Sequence, residues 1–506
     1  MKRRKFIKLT SLATLPIILQ SCDWSEDTNG FPITVHTDIH TGHLIFKSQG
    51  FEKGDSISVE TAIVGGGIAG LSAAYSLKDR DFMLLELSEK LGGTSSFSAL
   101  GNTTFAQGAH YDLAYPSNYG DEVLSLLEEL KVIEFQPWKD SWSFSDKQYL
   151  ISNARKNICF EQGRFRGDVL VEGEEKEKFH QILKPFYGQM LMPSTMIDEK
   201  HSVLNEVSFF DYLNDRMNIS DRFKRGLDYH MLDDWGGTTE QVSALAGIHY
   251  FTCRPYNTQV VDLFSPPSGN GYFIDKMRDQ LPNDRLLTSH LVKSVEKVAD
   301  GFLTEVIDIE NNLVKTISSK NIIYAGQKHA LKYIMPDQYE LFQNTEYAPW
   351  LVLNFVMKDG IEKKGYWQNE MLTDDETFMG FVDSDMQETN DSDKRVLTAY
   401  YCLPSSSRND LKNVEANREV IVSKTLGYLN EYFEKDLTDL VEHVFIKVMG
   451  HAMPIPKPNY LFSDKNENRL YENMTFAGVD NARLPLLFEA MDSGIQAARL
   501  LGDMDC

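Results

Sequence analysis

The clearest hydrophobic pattern in the chain is a pair of short apolar runs on either side of a glycine-rich turn. Residues 61–64 (TAIV) are apolar and partly β-branched, which predicts a buried strand. The turn GGGIAG follows at 65–70, and apolar residues then recur with helical spacing in LSAAYSL at 71–77. A second apolar run, FMLL at 82–85, ends on Glu86. The pattern predicts a strand–turn–helix–strand unit with parallel strands.

Each glycine of this GxGxxG turn has a physical role in binding a phosphate. Gly65 permits the tight turn, Gly67 lets the backbone approach a pyrophosphate, and Gly70 lets the helix pack closely on the strand. The helix N-terminus presents unpaired N–H groups to the phosphates. Glu86 follows at the spacing of an acid that accepts hydrogen bonds from ribose hydroxyls. The unit therefore predicts a dinucleotide-binding domain.

Composition narrows the class of protein further. The chain has 506 residues, room for several domains, and its charged and hydrophobic fractions are those of a globular protein. The net charge of −23 argues against a nucleic-acid partner, because phosphate backbones are bound by clustered Lys and Arg. The five cysteines are widely spaced, which excludes a disulfide scaffold and a cysteine zinc site. No metal site is predicted, and no P-loop, HExxH or GxSxG motif is present.

The first 21 residues have the composition of a bacterial export signal. A basic start (MKRRK) precedes an apolar run at 9–19 that is too short to span a bilayer. The sequence LQSC at 19–22 resembles a lipobox, which implies that Cys22 is lipidated. RRKFIK at 3–8 resembles a twin-arginine signal, and an ordinary Sec lipoprotein signal is the alternative. We expect an exported protein held by its lipid anchor alone at a bacterial membrane, on the periplasmic or cell-surface side.

Residues 23–56 are expected to form an exposed lead-in to the first domain. A polar tether begins this segment, and two short β-like stretches, ITVH and LIFK, follow it. His36, His40 and His43 are expected to be solvated surface histidines rather than metal ligands.

Two further segments point to a flavin as the cofactor. Gly92, Gly93 and Thr94 resemble the flavoprotein GG doublet, in which a second loop approaches the pyrophosphate. FAGVD at 476–480 and EAMDSGIQAA at 489–498 resemble the C-terminal flavin signature of the flavin amine oxidase and phytoene desaturase superfamily. In that superfamily the acid matching Asp480 hydrogen-bonds the ribityl chain of FAD, and the helix after it faces the flavin pyrimidine.

The resemblance continues in the middle of the chain and assigns further cofactor contacts. Residues 286–296 and 321–325 resemble the returning strands of that fold, where the residue matching Val292 meets adenine through its backbone. FAD is expected to be noncovalent, because the C-terminal segment lacks the cysteine that links FAD in monoamine oxidases. Motif and resemblance together give these candidate cofactor-binding residues: Gly65, Gly67, Ala69, Gly70, Glu86, Gly92, Gly93, Thr94, Val292, Gly478, Asp480 and Met491.

The resemblance implies an α/β fold, with a Rossmann-type FAD-binding domain of the amine oxidase (glutathione-reductase-like) type and an inserted α+β substrate domain. The first insertion has mostly helical spacing, and the second mixes strand and helix patterns. The expected division is an export signal (1–21), a tether and lead-in (22–56), three parts of the FAD-binding domain (57–111, 263–345 and 451–506) and two parts of the substrate domain (112–262 and 346–450).

Several segments of the insertions are similar to bacterial spermidine-dehydrogenase-like flavoproteins. They are DWGG at 234–237, SALAGIHYF at 243–251, SGNGY at 268–272, YAPWLVLN at 347–354 and GHAMP at 450–454. Two of the three candidate catalytic residues, Trp350 and His451, lie in these segments. The third is His110, in the GAHYD stretch that in this superfamily passes over the isoalloxazine. Taken singly, each of these side chains has a structural role as its alternative.

One departure from the superfamily concerns the reaction with oxygen. Amine oxidases of this superfamily often carry a lysine that holds a water near flavin N5. The matching strand, WLVLNF at 350–355, contains no lysine, and the next one along the chain is Lys358. A dehydrogenase that uses another, unidentified electron acceptor is therefore as open as an oxidase.

These features predict a FAD-dependent oxidoreductase that oxidises an amine, with a cationic, polyamine-like substrate. A neutral amine would give hydride to flavin N5 and leave an imine that water hydrolyses. The alternative enzyme is a FAD-dependent desaturase or isomerase of an apolar polyene or porphyrinogen. A surface protein that binds flavin without catalysis is the non-enzymatic alternative. A cavity with carboxylates and aromatic rings would favour the amine, and a wide apolar tunnel would favour the polyene.

Overall fold

The computed structural model describes residues 30–47, 50–108, 119–253, 262–340, 342, 344–387, 394–462 and 473–502. The export signal, Cys22 and His110 lie outside the described residues. None of the described helices combines the length and the apolarity that crossing a bilayer requires.

The described elements are strands and α-helices, and in several places two or more strands follow one another. The strands are β1 (Ile33–His36), β2 (Glu52–Val64), β3 (Phe82–Leu85), β4 (Phe97–Leu100), β5 (Thr103–Ala106), β6 (Ile133–Gln136), β7 (Ser141–Phe144), β8 (Leu150–Ile151), β9 (Asn157–Glu161), β10 (Arg164–Arg166), β11 (Leu263–Phe264), β12 (Leu286–Leu287), β13 (His290–Val298), β14 (Gly301–Asp308), β15 (Leu313–Tyr324), β16 (Tyr347–Met357), β17 (Gln368–Leu372), β18 (Phe378–Asp383), β19 (Val396–Cys402), β20 (Val441–Pro454) and β21 (Met474–Phe476). The α-helices are α1 (Ile39–Gly42), α2 (Ile68–Ser76), α3 (Asp121–Glu129), α4 (Glu174–Leu183), α5 (Phe209–Asn214), α6 (Asp221–Trp235), α7 (Ala244–Thr252), α8 (Gly271–Arg278), α9 (Leu331–Ile334), α10 (Pro336–Tyr339), α11 (Arg418–Phe433) and α12 (Leu487–Gly502).

The sheet of the dinucleotide domain has the order β12-β3-β2-β15-β14-β13, and β21 also pairs with β15. The predicted strand–helix–strand unit is present: β2 ends at Val64, α2 begins at Ile68, and β3 pairs with β2 in parallel. Strands β12, β15 and β21 extend the parallel part, whereas β13 and β14 are antiparallel. This arrangement confirms the predicted α/β fold class, with the glycine turn at the carboxyl ends of parallel strands.

The second sheet has eight strands in the order β1-β20-β16-β19-β18-β17-β9-β10. Its residues alternate between two environments, as expected of strands with period two. On β16, Leu351 and Leu353 pack in a core with α11, whereas Trp350 and Val352 line a cavity on the opposite face. The same alternation holds on β17 and β19, so one face of this sheet is a wall of the cavity.

Residues 112–262, which have mostly helical spacing, also contribute strands to this sheet. β9 and β10 form an antiparallel hairpin at its edge, and β9 pairs in parallel with β17. The two-residue turn between them is Gln162-Gly163, both with positive φ (51° and 73°), a turn conformation that suits a hairpin. The sequence did not predict these short strands, because the apolar residues around them have helical spacing.

The lead-in is not simply exposed, and here the sequence expectation needs correction. ITVH forms the expected strand, but that strand, β1, pairs in parallel with β20 and so belongs to the eight-stranded sheet. LIFK lies in a 3-10 turn, His43–Phe46, instead of a strand. His36 is half-buried and stacks on Phe445 with ring centroids 6.0 Å apart, whereas His40 and His43 are exposed as expected.

Candidate active site

A cavity of about 1320 Å³ is lined by residues of both sheets. At one end it meets the glycine turn after β2, and at the other it meets the inner face of the eight-stranded sheet. We call these the cofactor end and the substrate end. All but two of the candidate cofactor-binding residues line the cavity, and the two exceptions are Gly70 and Met491.

The glycine turn has the geometry of a phosphate cradle. Gly65 has φ +106°, and a Cβ there would lie 2.8 Å from the Ala325 backbone. A Cβ on Gly70 would lie 1.9 Å from the Gly65 carbonyl oxygen, so Gly70 supports the turn although it does not line the cavity. A Cβ on Gly67 would meet nothing nearer than the Gly92 carbonyl oxygen at 3.9 Å. Space is therefore left open at Gly67, at the start of α2, where a pyrophosphate fits the free N–H groups.

The glycine doublet forms a second loop against the first. The Gly92 N–H donates to the Gly66 carbonyl oxygen at 2.9 Å. Both doublet glycines have positive φ, +135° at Gly92 and +56° at Gly93, which favours glycine at these positions. Thr94 follows, exposed and on the cavity wall. The two loops are thus fixed to each other, and together they suit a pyrophosphate.

Glu86 is buried beside this cradle and is hydrogen-bonded to it. Its Oε2 accepts from the Gly66 N–H at 2.6 Å, and its Oε1 accepts from the Ser88 N–H at 2.8 Å. Burial raises the pKa of the Glu86 carboxyl, and the two N–H donors oppose that rise. A carboxylate has about four acceptor positions, so Glu86 can shape the turn and still accept from a ribose hydroxyl.

The C-terminal signature places a buried ion pair at the cofactor end. Asp480 accepts hydrogen bonds from the Lys328 N–H at 2.8 Å, the Lys328 Nζ at 3.0 Å and the Tyr347 hydroxyl at 2.8 Å. Lys328 is fully buried, and burial lowers its pKa against the opposing effect of Asp480. Sequence analysis missed Lys328, because a lysine in a loop such as AGQKHA is usually expected to be solvated.

The remaining candidate cofactor residues divide between the cavity wall and the core. Val292 is buried on the wall, next to an irregularity in the β13–β14 pairing, and Ala69 is also on the wall. Met491 is 1% exposed and packs in the core. From α12, Leu487 and Ala490 line the cavity instead.

At the substrate end, aromatic rings and an amide network line the wall. Trp350 and Tyr400 stack with ring centroids 5.5 Å apart and planes 6° from parallel. The Gln368 amide donates to the Tyr400 hydroxyl at 3.2 Å and to Asp233 at 3.1 Å. Trp350 therefore contributes an aromatic surface to the cavity, but it is the carboxylates next to it that carry titratable chemistry.

Two of those carboxylates, the half-buried Asp233 and the buried Glu370, lie close enough to influence each other's ionisation. Burial, with Asp234 and Glu370 nearby, raises the pKa of Asp233 to about 8. Glu370 is 4% exposed, and burial raises its pKa as well. Its Oε1 accepts from the Asn157 amide at 3.3 Å, whereas its Oε2 has no hydrogen-bond partner in the described part of the chain. A buried carboxylate oxygen without a partner is costly unless a ligand supplies a donor.

The negative charge of a third acid, Asp168, is already compensated by basic side chains of the protein. Burial alone would raise its pKa, but His230 and Lys176 lower it below the usual range. The Lys176 Nζ lies 2.7 Å from Asp168, and His230 Nδ1 lies 3.0 Å from the Tyr250 hydroxyl. Sequence analysis did not find Glu370, Asp168 or His230, although an acid inside the apolar strand QNEML is an unusual pattern that could have drawn attention to Glu370.

The histidine candidate that the structure describes is neutral. His451 lines the cavity and stacks on His329 with ring centroids 3.5 Å apart. Burial, with His329 and Arg408 nearby, lowers the pKa of His451 to about 2, and burial lowers that of His329 to about 4. His451 therefore presents an uncharged ring to the cavity.

The strand that matches the lysine-bearing strand of the superfamily is β16, and its Val352 lines the cavity. Lys358, the next lysine along the chain, is at an exposed site and donates to the Asp439 carbonyl oxygen.

Across the described ranges, no group of three or more His, Cys, Asp and Glu side chains is arranged to hold a metal ion.

Comparisons with known proteins identify the family of the chain. The family model of flavin-containing amine oxidoreductases matches residues 68–501. A search of curated proteins found no match.

Solved structures of similar fold cover nearly the whole chain. Putrescine oxidase bound to putrescine is 13% identical, with a TM-score of 0.63 over 89% of this chain and 99% of that one. Cyclohexylamine oxidase from Brevibacterium oxydans is 13% identical, with a TM-score of 0.62 over 88% and 99%. A protoporphyrinogen oxidase-like protein from Exiguobacterium is 14% identical, with a TM-score of 0.62 over 90% and 100%. At these identities the likeness shows the fold, and the family match shows membership: the chain is a flavin-dependent oxidoreductase and belongs to the flavin-containing amine oxidoreductase family.

Proposed function

We propose that this protein uses noncovalent FAD to oxidise a cationic, polyamine-like amine. The observation that carries the proposal is the buried, unpartnered Oε2 of Glu370 beside Asp233, at the substrate end of the cavity that contains the dinucleotide motif. An ammonium group would supply the donor that Glu370 Oε2 lacks among the described residues, and it would lie beside the second acid.

The residues of the cofactor end fit FAD. The glycine turn and doublet would hold the pyrophosphate, Glu86 would hold a ribose, and Asp480 would hold the ribityl chain. FAD would supply the acceptor for the hydride that the amine carbon loses. None of the described cysteines, Cys159, Cys253 and Cys402, lines the cavity, which supports noncovalent binding.

The substrate end would bind one ammonium group and leave the reacting nitrogen neutral. Asp233 and Glu370 provide negative charge when ionised, and Trp350 and Tyr400 provide aromatic faces that attract cations. His451 and His329 are uncharged at neutral pH, so they do not repel a cationic substrate. A bound cation would also lower the pKa of Asp233 and so promote its own binding.

The test is anaerobic reduction of the flavin, followed by stopped-flow absorbance. The panel is spermidine, putrescine, benzylamine and an apolar polyene or porphyrinogen. We expect the diamine and the polyamine to reduce the flavin faster than benzylamine at equal concentration. Reduction by the apolar compound alone would promote a desaturase or isomerase, and no reduction by any compound would leave the flavoprotein fold without this activity.

A pair of variants separates recognition of the cation from general damage. Glu370→Gln should raise the apparent Kd for spermidine about tenfold to a hundredfold, the scale of a hydrogen bond to a charged group. Glu376→Gln is the matched control, because the Glu376 side chain is 74% exposed and does not line the cavity. Equal effects of the two variants would contradict a role for Glu370 in substrate binding.

Export with lipidation at Cys22 is part of the proposal and rests on the N-terminal sequence. Changing Arg3→Lys and Arg4→Lys together keeps the charge and removes the twin-arginine identity. Normal amounts of this double variant outside the cytoplasm would exclude the twin-arginine route and leave the Sec route. Metabolic labelling with a fatty acid, lost in Cys22→Ser, tests the anchor.

A further inference from the structure

Six residues of the lead-in line the cavity at its cofactor end. They are Asp38, Ile39, Gly42, His43, Ile45 and Phe46, from α1 and the 3-10 turn after it. We call this stretch, residues 38–46, the strap. The dinucleotide motif begins only at β2, so the motif itself does not account for the strap.

The strap is attached to both sheets. Before it, β1 pairs in parallel with β20, and the Asp38 carboxylate lies 3.2 Å from the Lys447 Nζ on β20. At its other end, Ile45 packs against the core of the dinucleotide sheet, which contains Val64 and Val292. The strap therefore spans from the substrate sheet to the sheet of the dinucleotide motif.

The strap gains little stability from the burial of its own side chains. Neither of its two short helical turns has a buried residue. Phe46 is 58% exposed and meets Tyr333, itself 46% exposed, edge to face at 4.9 Å. Apolar side chains that line a cavity and stay partly exposed there are positioned to be covered by a ligand.

The position of the strap indicates which part of the ligand it meets. Asp38 lies close enough to Glu86, the expected ribose acid, to contribute to the raised pKa of that carboxyl. Val292, the expected adenine contact, belongs to the core on which Ile45 packs. Both neighbours of the strap, Glu86 and Val292, are expected to contact the adenosine half of the cofactor.

From this juxtaposition we propose that the strap completes the FAD site by covering the adenosine half, with Phe46 and Ile45 as cofactor-binding residues and the Asp38–Lys447 ion pair holding the strap in place. The inference rests on the proposed cofactor, FAD, and does not depend on the amine substrate. It predicts that the strap governs how fast FAD leaves the holoenzyme.

The experiment follows exchange of bound FAD. Holoenzyme is mixed with excess isotopically labelled FAD, and the label in the protein-bound flavin is measured over time. Phe46→Ala should speed exchange about fivefold or more, because an aromatic cover is lost. Trp138→Ala is the matched control, since Trp138 is 78% exposed and does not line the cavity. It should exchange at the rate of the unaltered protein.

Charge reversal tests the attachment of the strap. Asp38→Lys and Lys447→Asp should each speed exchange about threefold, and the double variant should restore the original rate. If Asp38 and Lys447 instead had a structural role elsewhere, each single variant would have a lower melting temperature, and the double variant would not restore that temperature. Unchanged exchange in Phe46→Ala and in both single charge variants would overturn the proposal.

Identification of the released flavin separates this inference from the proposed cofactor. If the released flavin is FMN, the proposed cofactor fails and the inference fails with it. If it is FAD and the exchange rates are unchanged, only the inference about the strap fails. If amines do not reduce the flavin but exchange responds as expected, the substrate proposal fails and the strap stands.

Discussion

The cofactor end and the substrate end of the cavity are built by different means. At the cofactor end, backbone geometry dominates: glycines leave space, N–H groups point inward, and Glu86 and Asp480 already accept hydrogen bonds from the protein. At the substrate end, side chains dominate, and Glu370 keeps an oxygen without a partner among the described residues. The difference indicates that the first region is fixed before its ligand arrives, whereas the second holds charge that its ligand must satisfy.

The largest expected effect comes from the geometry of the cofactor end. Gly70→Ala would place a Cβ 1.9 Å from the Gly65 carbonyl oxygen, so helix α2 must move away from the turn. We expect a loss of about 3 kcal/mol in stability and a purified protein nearly free of flavin. Urea unfolding and the flavin-to-protein absorbance ratio measure the two effects.

A helical glycine elsewhere provides the control for Gly70→Ala. Gly427 lies in α11, and a Cβ there would meet nothing within 4 Å. Gly427→Ala should therefore keep its flavin and gain up to about 1 kcal/mol of stability from helix propensity. Flavin loss in both variants would mean that the close contact at Gly70 is not the cause.

The next effect concerns Glu86, the carboxylate that is hydrogen-bonded to the glycine turn. Glu86→Ala should weaken flavin binding by about 1.5–3 kcal/mol, because ribose hydroxyls lose a charged acceptor. Glu86→Gln keeps one oxygen and should lose less. Titration of the apoprotein with FAD, followed by flavin fluorescence, gives both affinities. Unchanged affinity in Glu86→Ala would mean that the ribose acid lies elsewhere.

A smaller effect is expected at the substrate end, and it has the opposite sign for stability. The pKa of Asp233 is raised to about 8 in the folded protein, so its contribution to stability is present at low pH and is lost as pH rises through about 8. Asp233→Asn removes that loss, and it should stabilise the protein by roughly 1 kcal/mol at pH 9 but not at pH 4. Thermal unfolding across this pH range measures the difference between the two proteins.

The same substitution should weaken substrate binding while it stabilises the fold. Asp233 attracts a cation only when ionised, so the affinity for spermidine should rise with pH through about 8 and lose that dependence in Asp233→Asn. A variant that is both more stable and fully able to bind spermidine would contradict the contrast between the two ends.

The smallest effect is expected at His451. Because burial lowers the pKa of His451 to about 2 and that of His329 to about 4, neither ring gains a proton between pH 6 and pH 9. His451→Gln should therefore leave the shape of the pH profile of flavin reduction unchanged over that range. A lost inflection in the variant would show that His451 titrates during turnover.

The strand–turn–helix–strand unit at the cofactor end could be predicted from the sequence because its parts are local. Gly65 to Glu86 form one continuous strand–turn–helix–strand unit, and each position has a conformational reason that needs no partner far away. Lys328 was the exception, since its burial depends on a loop that packs against Asp480.

The substrate end was predicted less completely because it is assembled by strand order. Glu370 and Asn157 meet only because β17 pairs with β9, and nothing local in either segment specifies that pairing. Trp235, adjacent to the acids, is 1% exposed and donates its indole N–H to the Ala246 carbonyl oxygen, so it is a core residue. The strap was missed for a similar reason, because the strand before it pairs with a segment near the other end of the chain.

That pairing has a consequence for the order in which the molecule forms. β1 pairs with residues 444–447, and β2 pairs with β15, which in turn pairs with β21 near the C-terminus. Neither sheet can be completed until most of the chain has left the ribosome, and contacts between such distant segments form slowly. During that interval strand edges are unpaired and open to association with other chains. We therefore expect β1 to remain without a partner until residues 444–447 have left the ribosome, while the sequence upstream of β1 is already outside it.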